Sequence, residues 1–511
     1  MAFINSIMSW LMKKRIHQIE LFMKYPLEVQ RDWFVRLIEN GRHTEWGQKY
    51  SYRTIATVDD FKNRVPVQNY ESLKPYIDRL MAGEQNILWP TDVKWFAKSS
   101  GTTAGKSKFI PVSSEAMEEC HFKGGKDLIS LYCNNFPETK IFTGKGLTLG
   151  GSHHINVNGN DSFYGDISAI LMQNLPFWAQ LIRTPELSIA LLENWEEKIE
   201  KMVNATVHEN VTSISGVPTW TVVLAKRILE VTGKKNLLEV WPNLELFIHG
   251  AVSFTPYVDQ FRKLLPSDSF NYFETYNASE GFFGIQDRLH ANDMLLMLDY
   301  GVFYEFMPME EYGKDNPKTI GLDEVELNKN YALIISTNAG LWRYIIGDTI
   351  KFTSISPFRI RVTGRTKLFV NAFGEEVIIE NTEQAVKIAC EKTGSMVKEY
   401  TVAPVYFSEE NNGAHQWLIE FEKAPVSLEY FTDVLDTALK SLNSDYEAKR
   451  YKDMALRLPV IKIMPEGTFY EWMKSKGKLG GQHKVPRLCN DRTYIEEIES
   501  FLTEKREAWK S

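Results

Sequence analysis

The most chemically suggestive segment of the chain is residues 98–108, which reads Lys-Ser-Ser-Gly-Thr-Thr-Ala-Gly-Lys-Ser-Lys. Glycines allow backbone amides to close around a polyanion, hydroxyl groups add donors, and lysines supply positive charge. The segment lies between the apolar runs 93–97 and 109–112, so we predict a loop between two strands. The composition indicates a site for the phosphates of a nucleotide, with a flexible surface loop as the alternative.

The spacing within this segment argues against a Walker phosphate-binding loop. A Walker loop requires four residues between its first glycine and the Gly-Lys pair. Here only the three residues 102–104 separate Gly101 from Gly105. Pro111 follows closely and opposes the helix that a Walker loop would need. The sequence therefore disfavours a phosphotransferase of the Walker type.

A second group of reactive side chains occupies residues 271–281. Within it, Tyr276 could stack on a base, Ser279 could donate to a phosphate and Glu280 could hold Mg²⁺. The alternative is an ordinary strand-end turn with a solvated glutamate. The segment is thus a candidate for contacts to both the base and the phosphates of a nucleotide.

A third motif, residues 342–348, ends in Gly347-Asp348 between two apolar segments. A carboxylate at the end of a strand can accept hydrogen bonds from both hydroxyl groups of a ribose. A Gly-Asp hairpin turn is the alternative. We expect Asp348 to lie at a strand end.

The composition of the chain sets its broad class. It has 511 residues, of which 43% are hydrophobic and 24% are charged, and its net charge is -7. This length predicts more than one domain, and the lack of a basic block argues against nucleic acid as a partner. The 4 cysteines are scattered, which favours a reducing cytoplasm. No window is apolar and long enough for a membrane span.

The pattern of helices and strands predicts an α/β fold with mixed sheets flanked by helices. Helical periodicity runs from about residue 4 to 40, and strands alternate with helices between residues 140 and 252, including a helix over residues 185–203. Short strands follow between residues 294 and 352, among them 344–346 and 349–352. A smaller α+β pattern then begins, with a helix over residues 428–442. We therefore predict a large N-terminal domain of residues 1–365 and a small C-terminal domain of residues 366–511.

The order of the three motifs resembles that of the adenylate-forming, acyl-activating superfamily. Residues 364–375 are similar to the hinge motif of that superfamily, although Lys367 stands where most members carry aspartate. Other segments resemble the auxin-responsive Gretchen Hagen family of acyl-acid amido synthetases over nearly the whole chain. Residues 215–220 are more similar to other adenylate-forming enzymes than to the plant members, and we expect a bacterial member. The segments that carry the family resemblance are Thr44-Glu45-Trp46-Gly47, Val65-Pro66-Val67, Tyr70-Glu71, Pro75-Tyr76-Ile77, Ile87-Leu88-Trp89-Pro90, Leu191-Leu192-Glu193-Asn194-Trp195 and Val240-Trp241-Pro242-Asn243.

This resemblance implies ATP and Mg²⁺ as cofactors and a reaction in two halves. A carboxylate would first attack the α-phosphate of ATP, which gives an acyl-adenylate and pyrophosphate. The acyl group would then pass to an amine, usually an amino acid, with release of AMP. The alternatives are an acyl-coenzyme A ligase and a non-catalytic nucleotide-binding protein, and the sequence leaves the oligomeric state open.

The resemblance also implies a role for individual residues. Lys484, in a Gly-rich turn, would neutralise the transferring phosphate, Glu280 would hold Mg²⁺, and Lys367 would be the hinge of a mobile C-terminal lid. Because they begin a helix after a proline, Thr219 and Trp220, with Val217, are expected to border the acyl pocket. The residues implied to bind the nucleotide are Ser99, Ser100, Gly101, Thr102, Thr103 and Lys106 at the phosphates, His249, Gly250, Ala251 and Tyr276 at the adenine, Ser279 at the α-phosphate, and Asp348 with Arg365 at the ribose.

Overall fold

The computed structural model divides the chain into two compact units. The first comprises Met1–Ser99, Lys108–Ala251 and Asp259–Thr366, and the second comprises Ser100–Ser107, Val252–Val258 and Lys367–Ser511. The residues that the structure describes are 10, 14–103, 106–150, 156–157, 162–192, 194–252, 254, 257–366, 369–408, 412–476 and 485–508, without the side chains of 100–103, 106–107, 156–157, 177–178 and 504–508.

Helices cover the strands of both units. In chain order, the α-helices of the described residues are α1 (Ile16–Lys24), α2 (Pro26–Gly41), α3 (Glu45–Lys49), α4 (Val58–Arg64), α5 (Tyr70–Met81), α6 (Ser114–Ala116), α7 (Lys123–Asn135), α8 (Ile167–Gln173), α9 (Phe177–Leu181), α10 (Leu187–Ala190), α11 (Trp195–Thr206), α12 (Pro218–Thr232), α13 (Leu237–Val240), α14 (Val258–Leu264), α15 (Ile379–Thr393), α16 (Leu428–Leu442), α17 (Ser444–Arg450), α18 (Thr468–Ser475) and α19 (Thr493–Ala508). Among these residues, no helix has the length and apolar character needed to cross a membrane.

The strands form one large sheet and several small ones. In chain order they are β1 (Trp95–Thr103), β2 (Lys106–Val112), β3 (Lys145–Thr148), β4 (Asn156–Val157), β5 (Phe163–Gly165), β6 (Arg183–Thr184), β7 (Val211–Ser215), β8 (Leu246–Gly250), β9 (Asn271–Ala278), β10 (Gly281–Ile285), β11 (Met294–Leu296), β12 (Val302–Pro308), β13 (Asn330–Thr337), β14 (Tyr344–Ile355), β15 (Phe358–Arg365), β16 (Phe369–Val370), β17 (Val377–Ile378), β18 (Met396–Val405), β19 (Ala414–Lys423) and β20 (Val460–Met464).

The large sheet of the first unit combines a parallel and an antiparallel half. Its eleven strands run in the order β12-β13-β14-β15-β11-β10-β9-β8-β7-β3-β6. From β6 to β9 the neighbours pair in parallel, whereas from β9 to β12 they pair in antiparallel fashion. The predicted fold class, α/β with mixed sheets flanked by helices, is confirmed. Because parallel strands share a direction, their carboxyl ends meet at one edge of the sheet.

Local signals in the sequence account for several helix ends. The side chain of Thr57 caps α4 and that of Asn69 caps α5, each in a reciprocal capping box. Helix α12 begins with Pro218, and Gly233 follows its end with a φ of 65°. Such a left-handed residue is the usual termination of a helix, and glycine adopts it without strain.

The second unit contains a small α+β core. Strands β18, β19 and β20 form a three-stranded sheet in which the first pair is antiparallel and the second is parallel. Helix α16 matches the predicted helix from Leu428 to Leu442. In the loop between β16 and β17, the carboxylate of Glu375 accepts hydrogen bonds from the backbone of Ala372 and Phe373. This buried carboxylate also contacts His415 at 2.8 Å.

Two predicted elements in the N-terminal part of the chain are different in the structure. The predicted loop 98–108 is mostly strand, because β1 extends to Thr103 and β2 begins at Lys106. The helix predicted to run to Asn40 is divided into α1 and α2. Pro26 lacks the backbone N–H that would continue α1, and it becomes the first residue of α2.

Two further predictions require correction. The single helix predicted for residues 185–203 is divided into α10 and α11, and the side chain of Asn194 caps the start of α11. The two strands predicted for residues 344–352 are one strand, β14. Asp348 therefore lies within a strand, and the prediction that it lies at a strand end is wrong.

Candidate active site

The candidate active site lies at the carboxyl edge of the parallel strands in the first unit. Strands β7, β8 and β9 end next to one another there, with Gly250 paired to Thr275. The backbone N–H of Gly216 donates to the carbonyl of Ile248, so the connection after β7 stays close to the end of β8. Clefts at this edge of an α/β sheet are common ligand sites.

The turn after β8 brings the backbone close to its neighbour strand. A Cβ atom at Gly250 would lie 2.5 Å from the carbonyl oxygen of Thr275, so only glycine fits there. The next residue, Ala251, has a φ of 67°. Burial lowers the pKa of His249 to about 3, which keeps its imidazole neutral at physiological pH. Residues 249–251 thus carry no charge, and Gly250 and Ala251 are accessible at the turn, which is compatible with contact to a purine base.

Glu280 lies in the turn of a hairpin between β9 and β10. Ala278 pairs with Gly281, so Ser279 and Glu280 form a two-residue turn. Burial raises the pKa of Glu280 to about 7, and the charge of Lys108 partly opposes this increase. Burial makes ionisation of this carboxylate unfavourable, and a bound cation would stabilise its ionised form.

Tyr276, Asp348 and Arg365 form a connected group beside this turn. The hydroxyl of Tyr276 donates to Oδ2 of Asp348 at 2.8 Å. The guanidinium of Arg365 donates from Nε to Oδ1 of Asp348 at 2.9 Å. The charges of Asp348 and Arg365 both influence the pKa of Glu280, which places all four side chains in one neighbourhood. The structure therefore brings together residues from three separate sequence motifs.

Two glycines allow Asp348 to occupy its position within a continuous strand. Gly347 has a φ of 100° and Gly364, on the paired strand, has a φ of 149°. The register between β14 and β15 shifts just after Asp348, which pairs with Arg365. A non-glycine residue would be strained at these dihedral angles. The irregularity bends the strand without ending it, and it directs the Asp348 carboxylate towards Tyr276.

Tyr344 is a neighbour of Glu280 that the sequence analysis missed. Its side chain is fully buried, and its hydroxyl has no hydrogen-bond partner among the described residues. Burial raises the pKa of Tyr344 well above its usual value, and the charge of Glu280 contributes to the rise. The buried pattern of Trp342, Tyr344 and Ile346 is the alternation that could have indicated a shared face. An unsatisfied hydroxyl near Glu280 is a suitable donor for a ligand.

The structure describes only some of the residues that were predicted to contact the phosphates and the acyl group. Ser99 is half-buried in β1. The predicted phosphate residues whose backbone alone is described are Ser100, Gly101, Thr102, Thr103 and Lys106. Lys367 and Lys484 lie outside the described residues. Val217 is half-buried at the N-cap of α12. Thr219 and Trp220 are buried, and Trp220 stacks on Trp195 with ring centroids 3.8 Å apart. Trp220 thus has a packing role at the place where an acyl pocket was predicted.

The described donor set fits a Mg²⁺ ion that is bound together with a nucleotide. Among the described residues there is no cluster of three or more His, Cys, Asp or Glu side chains that could hold a metal alone. Mg²⁺ usually binds to one or two carboxylates plus substrate phosphates and water. Glu280 could supply that carboxylate, with the phosphate oxygens of the ligand completing the coordination.

The chain is similar to known amido synthetases over most of its length. It is 22% identical to the indole-3-acetic acid-amido synthetase GH3.3 of Arabidopsis thaliana, with 92% of this chain and 91% of the relative covered. It is 24% identical to the jasmonoyl-L-amino acid synthetase JAR4 of Nicotiana attenuata, with 92% of each chain covered.

Solved structures show the same fold. A GH3.15 acyl acid amido synthetase in complex with 2,4-DB matches with a TM-score of 0.63 and 17% identity, with 96% of both chains covered. A 2-hydroxyisobutyryl-CoA ligase matches with a TM-score of 0.54 and 12% identity, with 94% of this chain and 93% of the other covered. The fold is therefore that of adenylate-forming enzymes.

Family models cover three consecutive segments of the chain. The GH3 family N-terminal domain matches residues 15–270, the central domain residues 295–365 and the C-terminal domain residues 380–493. The first match alone includes half of the chain, and it contains β7 and β8, which end at the candidate adenine surface. These matches confirm the family that the sequence motifs predicted: the chain belongs to the GH3 family of acyl-acid amido synthetases.

Proposed function

We propose that this protein activates a carboxylic acid with ATP and then transfers the acyl group to the amino group of an amino acid. The observation that carries this proposal is the Tyr276–Asp348–Arg365 group beside the Glu280 turn. It offers a carboxylate for the ribose and a second carboxylate for Mg²⁺ at the edge of one sheet. The names of the relatives, which are amido synthetases of indole-3-acetic acid and jasmonate, support an amide product.

In the proposed complex, the adenosine occupies the surface between β8, β9 and β14. The base packs against Tyr276 and the peptide groups of residues 249–251. Each oxygen of a carboxylate has two lone pairs, so Asp348 can accept from ribose hydroxyls while it keeps Tyr276 and Arg365 as donors. These existing hydrogen bonds hold the carboxylate in one orientation before ATP binds.

The first half-reaction joins two anions. An oxygen of the substrate carboxylate attacks the α-phosphorus, the bond to the bridging oxygen breaks, and pyrophosphate leaves with the electron pair. Mg²⁺, when bound at Glu280, offsets the charge of the phosphates. Ser279 is proposed to donate to the α-phosphate, and the segment 99–106 to hold the β- and γ-phosphates. Lys484 would neutralise the charge that moves to pyrophosphate.

In the second half-reaction, the neutral amine nitrogen attacks the acyl carbon of the adenylate. The bond to the phosphate oxygen breaks, AMP leaves, and the nitrogen loses a proton. We propose that residues 1–365 bind the nucleotide and the acyl group and that residues 366–511 form a lid that rotates at Lys367 between the two half-reactions. The free cysteines support a cytoplasmic location.

The experiment that tests this function is product analysis of the purified full-length protein. ATP and Mg²⁺ are supplied with a mixture of carboxylic acids and a mixture of amino acids, and the products are identified by mass spectrometry. The proposal requires AMP, pyrophosphate and an amide. Release of ADP and phosphate would overturn it. A parallel reaction with coenzyme A tests the alternative of an acyl-coenzyme A ligase, which would give a thioester.

A further inference from the structure

Arg183 differs from the other deeply buried arginines of the described chain in having no acidic partner. Five arginines have at most 9% of their surface exposed, and the other four are all paired with carboxylates: Arg15 with Asp127, Arg343 with Glu305, Arg359 with Asp287 and Arg450 with Asp436. Burying a guanidinium without a counter-charge is strongly unfavourable. The exception therefore requires an explanation.

The donors of Arg183 are almost entirely unused. Its Nε and Nη1 atoms are buried without a hydrogen-bond partner, and Nη2 contacts only the sulfur of Met172 at 3.1 Å. A thioether sulfur is a weak acceptor. Burial lowers the pKa of Arg183, with no nearby acidic group to oppose it. Because arginine stays protonated even so, a fixed positive charge is present here.

The residue paired with Arg183 on the neighbouring strand carries no side chain. In the sheet, Gly146 pairs with Arg183 on one side and with Ser213 on the other, so the three residues share a face. A Cβ atom at Gly146 would have only Ser213 Oγ, at 3.1 Å, and the carbonyl oxygen of Ile182, at 3.9 Å, within contact distance. In the order of the sheet, Arg183 thus lies beside a glycine, and the buried Ser213 lies one strand further on.

The guanidinium is directed towards the carboxyl edge of the sheet, where the candidate active site lies. The sulfur of Met172 that contacts Arg183 lies 3.3 Å from the position that a Cβ of Gly150 would occupy. Gly150 follows the carboxyl end of β3, and its carbonyl accepts a hydrogen bond from Lys198 at 2.9 Å. Strands β3 and β7 separate β6 from β8, which corresponds to roughly 14 Å at the usual strand spacing. A small organic molecule can span that distance.

A second buried cation connects this region to the predicted acyl pocket. Lys198 is fully buried, its ammonium lies 4.5 Å from the centroid of Trp195, and Trp195 stacks on Trp220. Burial lowers the pKa of Lys198 to about 8, and the charge of Asp166 partly opposes this decrease. Lys198 therefore has a counter-charge within the protein, whereas Arg183 has none among the described residues.

We propose that Arg183 binds a substrate carboxylate that does not itself react, and that it thereby determines substrate specificity. This inference rests on the proposed function and adds a substrate class to it. The carboxylate has two sources: the acyl substrate, if it is a dicarboxylic acid, or the amino-acid acceptor, through its own carboxyl group. In both cases the guanidinium gains the anion that the fold does not supply.

The test compares matched substrates in wild type, Arg183→Met and Arg183→Lys. For the acid, glutarate is compared with pentanoate, and terephthalate with 4-methylbenzoate, by ATP–pyrophosphate exchange. For the amine, L-alanine is compared with L-alaninamide by amide formation. Arg227→Met, which removes an exposed arginine from α12, is the control for loss of a charge. The preference is the ratio of kcat/KM for the carboxylated substrate to kcat/KM for its matched partner. We expect Arg183→Met to lower this ratio at least tenfold in one series, by raising the KM of the carboxylated substrate. Arg183→Lys should retain part of the preference.

The series that loses its preference identifies the source of the carboxylate. Equal effects on substrates with and without the second carboxylate, or no effect in either series, would overturn the proposal. Thermal-shift binding of glutarate, terephthalate and L-alanine to the full-length protein provides a readout that needs no turnover, so a failure of the proposed reaction is distinguished from a failure of this site. Ligand-free Arg183→Met should keep or gain thermal stability, and a marked loss would instead identify a structural arginine.

Discussion

The hydroxyl of Tyr276 donates a 2.8 Å hydrogen bond to Asp348, a residue 72 positions further along the chain. Tyr276 lies in β9 and Asp348 in β14, and the three strands β15, β11 and β10 lie between them in the order of the sheet. The positive φ of Gly347, next to Asp348, belongs to the irregularity that directs the carboxylate towards the tyrosine. With Arg365 on its other oxygen, the Asp348 carboxylate is oriented before any ligand binds. Preorganisation of this kind reduces the entropy that binding would otherwise lose.

Removing the hydroxyl of Tyr276 should therefore weaken ATP binding. In Tyr276→Phe we expect the KM for ATP to rise about threefold to tenfold, because a hydrogen bond to a charged group is lost. The control is Tyr304→Phe, which removes another buried hydroxyl, one that donates to the carbonyl of Met297. The measurement is ATP–pyrophosphate exchange at varied ATP. An unchanged KM in Tyr276→Phe would contradict the assignment of Asp348 to the ribose.

The close approach at Gly250 predicts a second effect on the nucleotide. In Gly250→Ala the new Cβ would lie 2.5 Å from the carbonyl oxygen of Thr275, so the turn must move away from β9. We expect the affinity for ATP to fall at least tenfold, as measured by equilibrium binding of a fluorescent ATP analogue. Gly233→Ala is a suitable control, since a Cβ there meets no atom and tests only the strain of a left-handed residue. Comparable losses in both variants would argue against an adenine surface at residues 249–251.

Replacement of Glu280 by glutamine should lower the activity but raise the stability of the folded protein above neutral pH. Glu280→Gln removes the proposed Mg²⁺ ligand, and we expect pyrophosphate exchange to fall about a hundredfold or more. The folded-state pKa of about 7 lies above the ordinary value of 4.5. Between these values the folded protein binds the additional proton, so stability decreases as the pH rises through this window and remains lower above it.

Glutamine does not ionise, so Glu280→Gln lacks this loss of stability at high pH. Without ATP and Mg²⁺, it should therefore melt at a higher temperature than wild type at pH 8, and the difference should shrink as the pH falls towards 5. The exposed Glu310 provides the control Glu310→Gln, whose carboxylate has a lowered pKa because of hydrogen bonds to its backbone and to Lys329. Equal melting temperatures of wild type and Glu280→Gln at pH 8 would show that Glu280 is an ordinary solvated turn residue.

The buried ion pair between Arg343 and Glu305 should be essential for the fold around the site. Arg343 has a φ of 45°, and its guanidinium donates to both carboxylate oxygens of Glu305. Glu305→Gln leaves this cation without its anion, which should lower the free energy of unfolding by about 3–5 kcal/mol. In contrast, Glu200→Gln breaks an exposed pair with Arg227 and should cost less than about 1 kcal/mol. Urea denaturation followed by tryptophan fluorescence measures both, and similar midpoints would refute the prediction.

The final prediction concerns the proposed hinge at Lys367. Proline fixes φ near about -65° and restricts the preceding residue, so Lys367→Pro should prevent the rotation of residues 366–511. We expect one half-reaction to slow far more than the other, while ATP binding is retained. Pyrophosphate exchange and acyl transfer are measured separately. Lys367→Ala is the matched control, because it removes the same side chain and leaves φ free to change. Equal losses in both half-reactions would contradict a hinge at this position.

Local signals in the sequence are sufficient to predict the chemistry and the family of this protein. Glycines and hydroxyl groups near residue 100, the Tyr-Asn-Ala-Ser-Glu-Gly run at residues 276–281 and Gly347-Asp348 are local signals, and their order needs no tertiary information. Local rules also predicted elements such as α12, with Pro218 at its start and Gly233 after its end. These features depend on neighbours within a few residues, for which backbone preferences are decisive.

In contrast, the pairing of charges and hydroxyl groups becomes apparent only in the folded chain. Asp348 was expected at a strand end, but positive φ angles at Gly347 and Gly364 place it within β14. Tyr344 and Arg183 belong to ordinary apolar or mixed runs in the sequence, and nothing local distinguishes Arg183 from Arg359. The difference is that Arg359 meets Asp287, 72 residues away, whereas Arg183 meets a glycine and a thioether. Burial and pairing of this kind arise from contacts between distant segments, which a local pattern does not encode.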